Sequence, residues 1–109
     1  MIRALFYQDR SGRLTGFTVQ GHAEYADTGQ DIICAAVSAL TLNCINSLER
    51  YSRDGFQADV GEDGYVVCRM SRWKSLRTQL LLRSLVLGLA NIRKEYGHQY
   101  LSIRRMKEV

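Results

Sequence analysis

At 109 residues, 46% apolar and 24% charged, the chain has the size and make-up of one globular domain spanning 1–109. Its net charge of +4 is small and its Lys and Arg residues are dispersed, which argues against a dedicated nucleic-acid binder, so no direct nucleic-acid contact is expected. Three cysteines, Cys34, Cys44 and Cys68, without CxxC or CxxH spacing, argue against a disulfide framework and a structural zinc site, and neither metal nor cofactor is expected.

No apolar segment follows a basic start, so no signal peptide is expected. The greasiest stretch, 80–90, is broken by Arg83 and Ser84 and is too short to span a bilayer. A reducing, cytoplasmic setting without membrane attachment is the default.

In chain order, segments 2–8 and 14–20 are rich in β-branched and aromatic residues. The turn chemistry of Asp9-Arg10-Ser11-Gly12 between them makes a hairpin. Segment 21–30 has a glycine near each end and polar residues between, the pattern of a loop long enough to move. Asp31 is a good N-cap for a helix running to about Ser52, with Ile33, Val37, Leu40, Cys44, Leu48 and Tyr51 on its buried face. Segments 56–60 and 65–70 flank Gly61-Glu62-Asp63-Gly64 as a second hairpin.

A second helix is predicted over 73–96, stopped by Gly97. Its polar stripe is narrow (Arg77, Ser84, Gly88, Asn91, Glu95), so its apolar surface suffices for the sheet and for a second subunit. Segment 99–106 reads as a last strand. The order β-β-α-β-β-α-β, with tight hairpins, implies an α+β fold: an antiparallel or mixed sheet of about five strands with two helices packed on it.

Two residues carry the candidate chemistry. Cys34 falls in the first turn of the first helix, where free N–H groups and the helix dipole favour thiolate and are placed to hold an oxyanion. The other reading of Cys34 is core filler beside Ala35 and Ala36, and the charge of Asp31 opposes a thiolate. His22, between a strand end and the loop, is either a base for that thiol or a surface histidine; His98, after the second helix, is the weaker candidate. Cys44 and Cys68 sit on apolar faces and read as structural. Asp31 either orients His22 or only caps the helix, and Ser38 either serves the site or bonds back to the Cys34 carbonyl. Glu24 and Asp27, with Asp31, either attract a basic substrate or are solvated loop residues.

The string Gly21-His22-Ala23, followed by Gly29-Gln30-Asp31-Ile32-Ile33-Cys34-Ala35-Ala36-Val37-Ser38-Ala39-Leu40, closely resembles the signature of the bacterial ribosomal-processing cysteine proteases, the Prp family. Length and element order are similar as well. The resemblance implies a cysteine endopeptidase that removes the N-terminal extension of a large-subunit ribosomal protein, cutting after aromatic residues and freeing a basic tail. It implies catalytic roles for His22 and Cys34, supporting roles for Asp31 and Ser38, and a homodimer; Gly21 and Gly29, near the ends of the loop, read as its hinges from their residue type. The competing classes are a ribosome- or RNA-binding module without catalysis, whose RNA binding would survive Cys34→Ala, and a redox sensor built on Cys34, which the lack of a nearby resolving cysteine weakens.

Overall fold

A computed structural model of the chain describes residues 1–27, 31–62 and 64–108. Its elements run β1 (Ile2–Gln8), β2 (Leu14–Gln20), α1 (Ile32–Tyr51), β3 (Phe56–Val60), β4 (Val66–Met70), α2 (Leu76–Tyr96) and β5 (Leu101–Lys107). This is the expected α+β order. The strands form one mixed sheet, β3-β4-β2-β1-β5, in which both hairpins are antiparallel and only β5 lies parallel to its neighbour, β1.

Strand alternation sorts the sheet's faces. Ile2, Ala4 and Phe6 of β1, Phe17 and Val19 of β2, and Val66, Cys68 and Met70 of β4 are buried in one core with Ile33, Val37, Cys44 and Leu48 of α1 and Leu82, Leu85 and Leu89 of α2. Phe6 and Phe17 meet across the β1–β2 pair with ring centroids 5.8 Å apart. The opposite face carries Arg3, Tyr7, Thr18 and Arg69; the Arg69 guanidinium stacks 4.0 Å from the Tyr7 ring, and the Tyr7 hydroxyl meets that of Thr18 at 3.1 Å.

The helix faces differ from expectation in detail. On α1, Thr41 is buried where Leu40 was expected, because its hydroxyl donates to the Val37 carbonyl at 2.7 Å and so enters the core already satisfied. Leu40, only partly buried, leans toward α2, where Gly88 accepts it: a Cβ at Gly88 would stand 2.7 Å from Leu40 Cδ1. Gly88 thus belongs to the contact between helices, not to a solvated stripe. Tyr51, at the helix end, is 59% exposed.

By length and composition α1 matches a membrane span, yet Ile33, Val37, Thr41, Cys44 and Leu48 point it into the core. Helix α2 starts at Leu76 because Ser75 is its cap, its hydroxyl accepting from the Thr78 N–H at 3.1 Å. Asp54 ties the two helices together: it accepts from the Ser75 and Thr78 hydroxyls at 2.6 and 2.8 Å, and the Thr78 hydroxyl also meets that of Ser52 at 2.7 Å.

Candidate active site

The C-terminal end of β2 delivers Gly21 and His22 to the N-terminus of α1. Gly21 holds φ +93°, a conformation that costs an L side chain, and this bends the chain from the sheet toward the helix. Ala23 is buried, and its N–H donates to the Cys34 sulfur at 3.3 Å. Asp31 Oδ1 accepts from the Ile33 and Cys34 N–H groups at 3.0 Å each, and Oδ2 accepts from the Tyr25 N–H at 3.0 Å. The Tyr25 ring meets Tyr96 and Tyr100 edge-on, with centroids 5.7 and 5.2 Å away. One carboxylate therefore caps the helix and anchors the segment that precedes it.

A cavity of about 630 Å³ opens here, with Gly21, His22, Glu24, Asp31, Cys34 and Ser38 in its wall. His22 is exposed and Cys34 half-buried. Among the described residues no hydrogen bond joins the His22 imidazole to the Cys34 sulfur or to Asp31; the groups share the cavity wall. Among the same residues the Ser38 hydroxyl makes no hydrogen bond, so the back-bond to the Cys34 carbonyl, one of its two readings, is not formed. Gly29 lies outside the described residues. No three His, Cys, Asp or Glu side chains converge as a metal site would require, among the described residues.

Two expectations about α1's N-terminus change. Asp31 already occupies the Ile33 and Cys34 N–H groups, so these are not free to hold an oxyanion. The Cys34 thiol is not activated at rest either. Burial raises its pKa above the ordinary 9.0, and the hydrogen bond and charge of Asp31 raise it further, against the lowering effect of the Ala23 N–H. Asp31 itself is held below the ordinary carboxylate value: burial raises its pKa, but the N–H donors outweigh this. The other two thiols are more strongly suppressed, Cys44 to about 12 and Cys68 to about 11, both chiefly by burial.

The expected consequence is selective alkylation. Iodoacetamide on the native chain should give one adduct, at Cys34, and three under denaturing conditions. Because the reactive form is the thiolate and its pKa is raised, the rate should still climb with pH through the ordinary 9.0. A rate that levels off below pH 7 would show a thiolate stabilised at rest and contradict this electrostatic picture. Asp31→Asn keeps a capping side chain but removes the charge, and should speed alkylation at neutral pH.

Sequence reasoning missed the parts played by Ala23 and Tyr25. Both act through backbone N–H groups, which every non-proline residue has, so the residue types carried no signal.

The model of the family described as cysteine protease Prp matches residues 1–101. The ribosomal processing cysteine protease Prp of Bacillus subtilis (strain 168) is 31% identical over 103 residues, covering 88% of this chain and 90% of the relative. The protein of the same name from Staphylococcus aureus (strain Mu50) is 27% identical over 89 residues, covering 79% of this chain and 82% of the relative. A crystal structure of an essential ribosomal processing protease Prp from S. aureus, with a covalently linked product peptide, superposes with a TM-score of 0.91 at 22% identity, over 97% of this chain and 100% of that one. That similarity carries the fold.

Proposed function

The chain belongs to the cysteine protease Prp family, and from that premise we propose that it removes the N-terminal extension of a large-subunit ribosomal protein, with Cys34 as nucleophile and His22 as its base. The observation that carries the assignment of residues is the placement of Cys34 and His22 in the wall of one cavity, the sulfur already gripped by the Ala23 N–H. Cys34 attacks the scissile carbonyl as its proton passes to His22. The imidazolium then protonates the leaving amine, and water releases the acyl group from sulfur. Since burial keeps the thiol protonated in the free chain, proton transfer belongs to the reaction and is not complete beforehand. Glu24 and Asp31 in the wall, with Asp27 nearby in sequence, favour a basic tail as the peptide held there.

The direct test is incubation with the ribosomal protein still carrying its extension. One cut, following an aromatic residue, is expected; a precursor left whole by the folded chain overturns the reading.

Substrate entry moves the segment that begins at Gly21, whose left-handed φ is open to glycine and whose hold on α1 runs through Asp31. Amide exchange at Ala23 and Tyr25 should slow when a substrate peptide is added to Cys34→Ala; unchanged exchange would dispose of the idea. The working form is a homodimer. Leu76, Leu80 and Leu87, exposed at 82, 64 and 63%, recur along one outward stripe of α2, an apolar surface suited to a second copy. Leu80→Glu is expected to halve the mass seen by light scattering, and a monomeric wild type would refute the dimer. Three free thiols and a ribosomal substrate suit the cytoplasm.

A further inference from the structure

A second cleft, of about 550 Å³, opens at the other end of the sheet. The cavity described above touches Ile2, Val19 and Val66, whereas this cleft touches Asp9, Thr15 and Met70, the opposite ends of the β1, β2 and β4 region. At about 3.3 Å per strand residue the two lie about 20 Å apart. Arg10, Arg13, Arg69 and Lys74 stand in its wall. The parallel pairing of β5 with β1 sets Lys107 beside Gln8, at the same end. Cations that are scattered in sequence are thus gathered by topology.

The acidic groups at this end, Asp9 and Glu108, offset them only in part, since two carboxylates face Arg10, Arg13, Arg69 and Lys74. Asp9 keeps its charge, but its oxygens are taken: Oδ1 accepts from the Ser11 and Arg13 N–H groups and the Ser11 hydroxyl, and Oδ2 accepts from Trp73 Nε1 at 2.8 Å. Glu108 pairs with Arg69, the only salt bridge among the described residues. Arg10, Arg13 and Lys74 have no carboxylate partner among those residues. One further group in the wall is unfinished. The Thr15 side-chain oxygen is buried, in a residue only 7% exposed, and has no hydrogen-bond partner among the described residues. A buried hydroxyl without a partner is costly, and since this oxygen is shielded from solvent, an anion in the cleft reaches it only with a small shift of the wall. Trp73 adds an indole surface to the same wall.

We propose that this cleft binds the phosphate backbone of single-stranded RNA, with Arg10, Arg13 and Lys74 on phosphates and Trp73 against a base. Unpaired cations beside an aromatic plane suit a strand that offers both anionic oxygens and π-faces. An acidic peptide matches only the first. The site is separate from the proteolytic reading, and loss of cleavage leaves it untouched.

Trp73 is the chain's single tryptophan, so its emission reports this cleft alone. Titrating a twelve-nucleotide uridine RNA into the full chain at low salt should change that emission saturably. Affinity should fall with salt at a log–log slope of roughly −0.7 per phosphate contacted, hence about −2 for three contacts. The double variant Arg10→Glu, Lys74→Glu should weaken binding at least about tenfold and leave peptide cleavage unchanged; Thr15→Val should weaken it more mildly, with the unfolding midpoint kept or raised because the costly hydroxyl is gone. The control pair Arg93→Glu, Lys94→Glu, on the last turn of α2, should bind as wild type does. No saturable change in Trp73 emission, equal weakening in the control pair, or equal binding of a polyglutamate peptide of the same length would each overturn the proposal.

Discussion

Cys34→Ala is expected to lower kcat/KM for an extension peptide by at least about a thousandfold while shifting stability by no more than about 1 kcal/mol. The two effects separate because of where the side chain sits. Cys34 is half-buried beside the cavity, so removing its sulfur leaves a gap open to solvent and not a void in the core. The α1 cap is untouched, since it rests on the bond from the backbone N–H of residue 34 to Asp31, which alanine also makes. The interactions lost are the bond from the Ala23 N–H and the thiol's own contact with the Asp31 carboxylate, both at the cavity wall. Activity, in contrast, loses the one atom that forms the covalent bond. Thermal unfolding alongside the cleavage assay checks both halves, and retention of even a tenth of wild-type turnover would remove Cys34 from its proposed role.

Gly21→Ala is expected to have the second-largest effect, through geometry instead of chemistry. Its φ of +93° charges an alanine about 1–2 kcal/mol of strain. A Cβ there would also stand 2.5 Å from the Met1 carbonyl oxygen, a backbone atom that cannot swing aside. The chain must shift, and His22 is the next residue. Displacement of a reacting group by about 1 Å costs about a hundredfold in rate, so a fall of that order in kcat/KM is expected. Gly12→Ala is the control: its φ of +89° imposes similar strain, but no atom lies within 4 Å of the added Cβ, and it sits in the β1–β2 turn at the far end of the sheet. It should lose about 1 kcal/mol of stability and keep its turnover. Similar activity losses in the two variants would mean that Gly21 contributes backbone tolerance only and does not place His22.

The sequence is informative wherever local chemistry dominates. Period-two alternation and Asp9-Arg10-Ser11-Gly12 locate β1 and β2 residue by residue, and α1 runs between the expected caps, Asp31 and Ser52. Element starts slip for two reasons, a partner distant in sequence at α2 and short turns that take the first residues of β4 and β5. Trp73 looks like the start of a helix, but its indole reaches back to Asp9, leaving Ser75 to cap α2. Tyr65 belongs to a turn, its N–H bonding to the Glu62 carbonyl at 3.4 Å, so β4 begins one residue later. Gln99 and Tyr100 likewise lie in the turn closed by the Gly97 carbonyl, and β5 starts at Leu101.

At the site, the residue types were legible and the electrostatics were not. Position in the first turn of a helix suggested a favoured thiolate, with the charge of Asp31 already counting against it; the depth of the sulfur, which spacing does not show, decides the balance. The segregation of charge is hidden for a related reason. It depends on β4 pairing with β2 and, for Lys107, on β5 pairing parallel to β1, long-range choices that no local pattern encodes.

Mass spectrometry of the chain, acid-quenched during turnover of an extension peptide, bears on the nucleophile itself. A transient thioester linking the N-terminal product to Cys34 is expected, together with a single cut, and neither species with Cys34→Ala. Cleavage without an adduct, undiminished in Cys34→Ala, would contradict the role of Cys34.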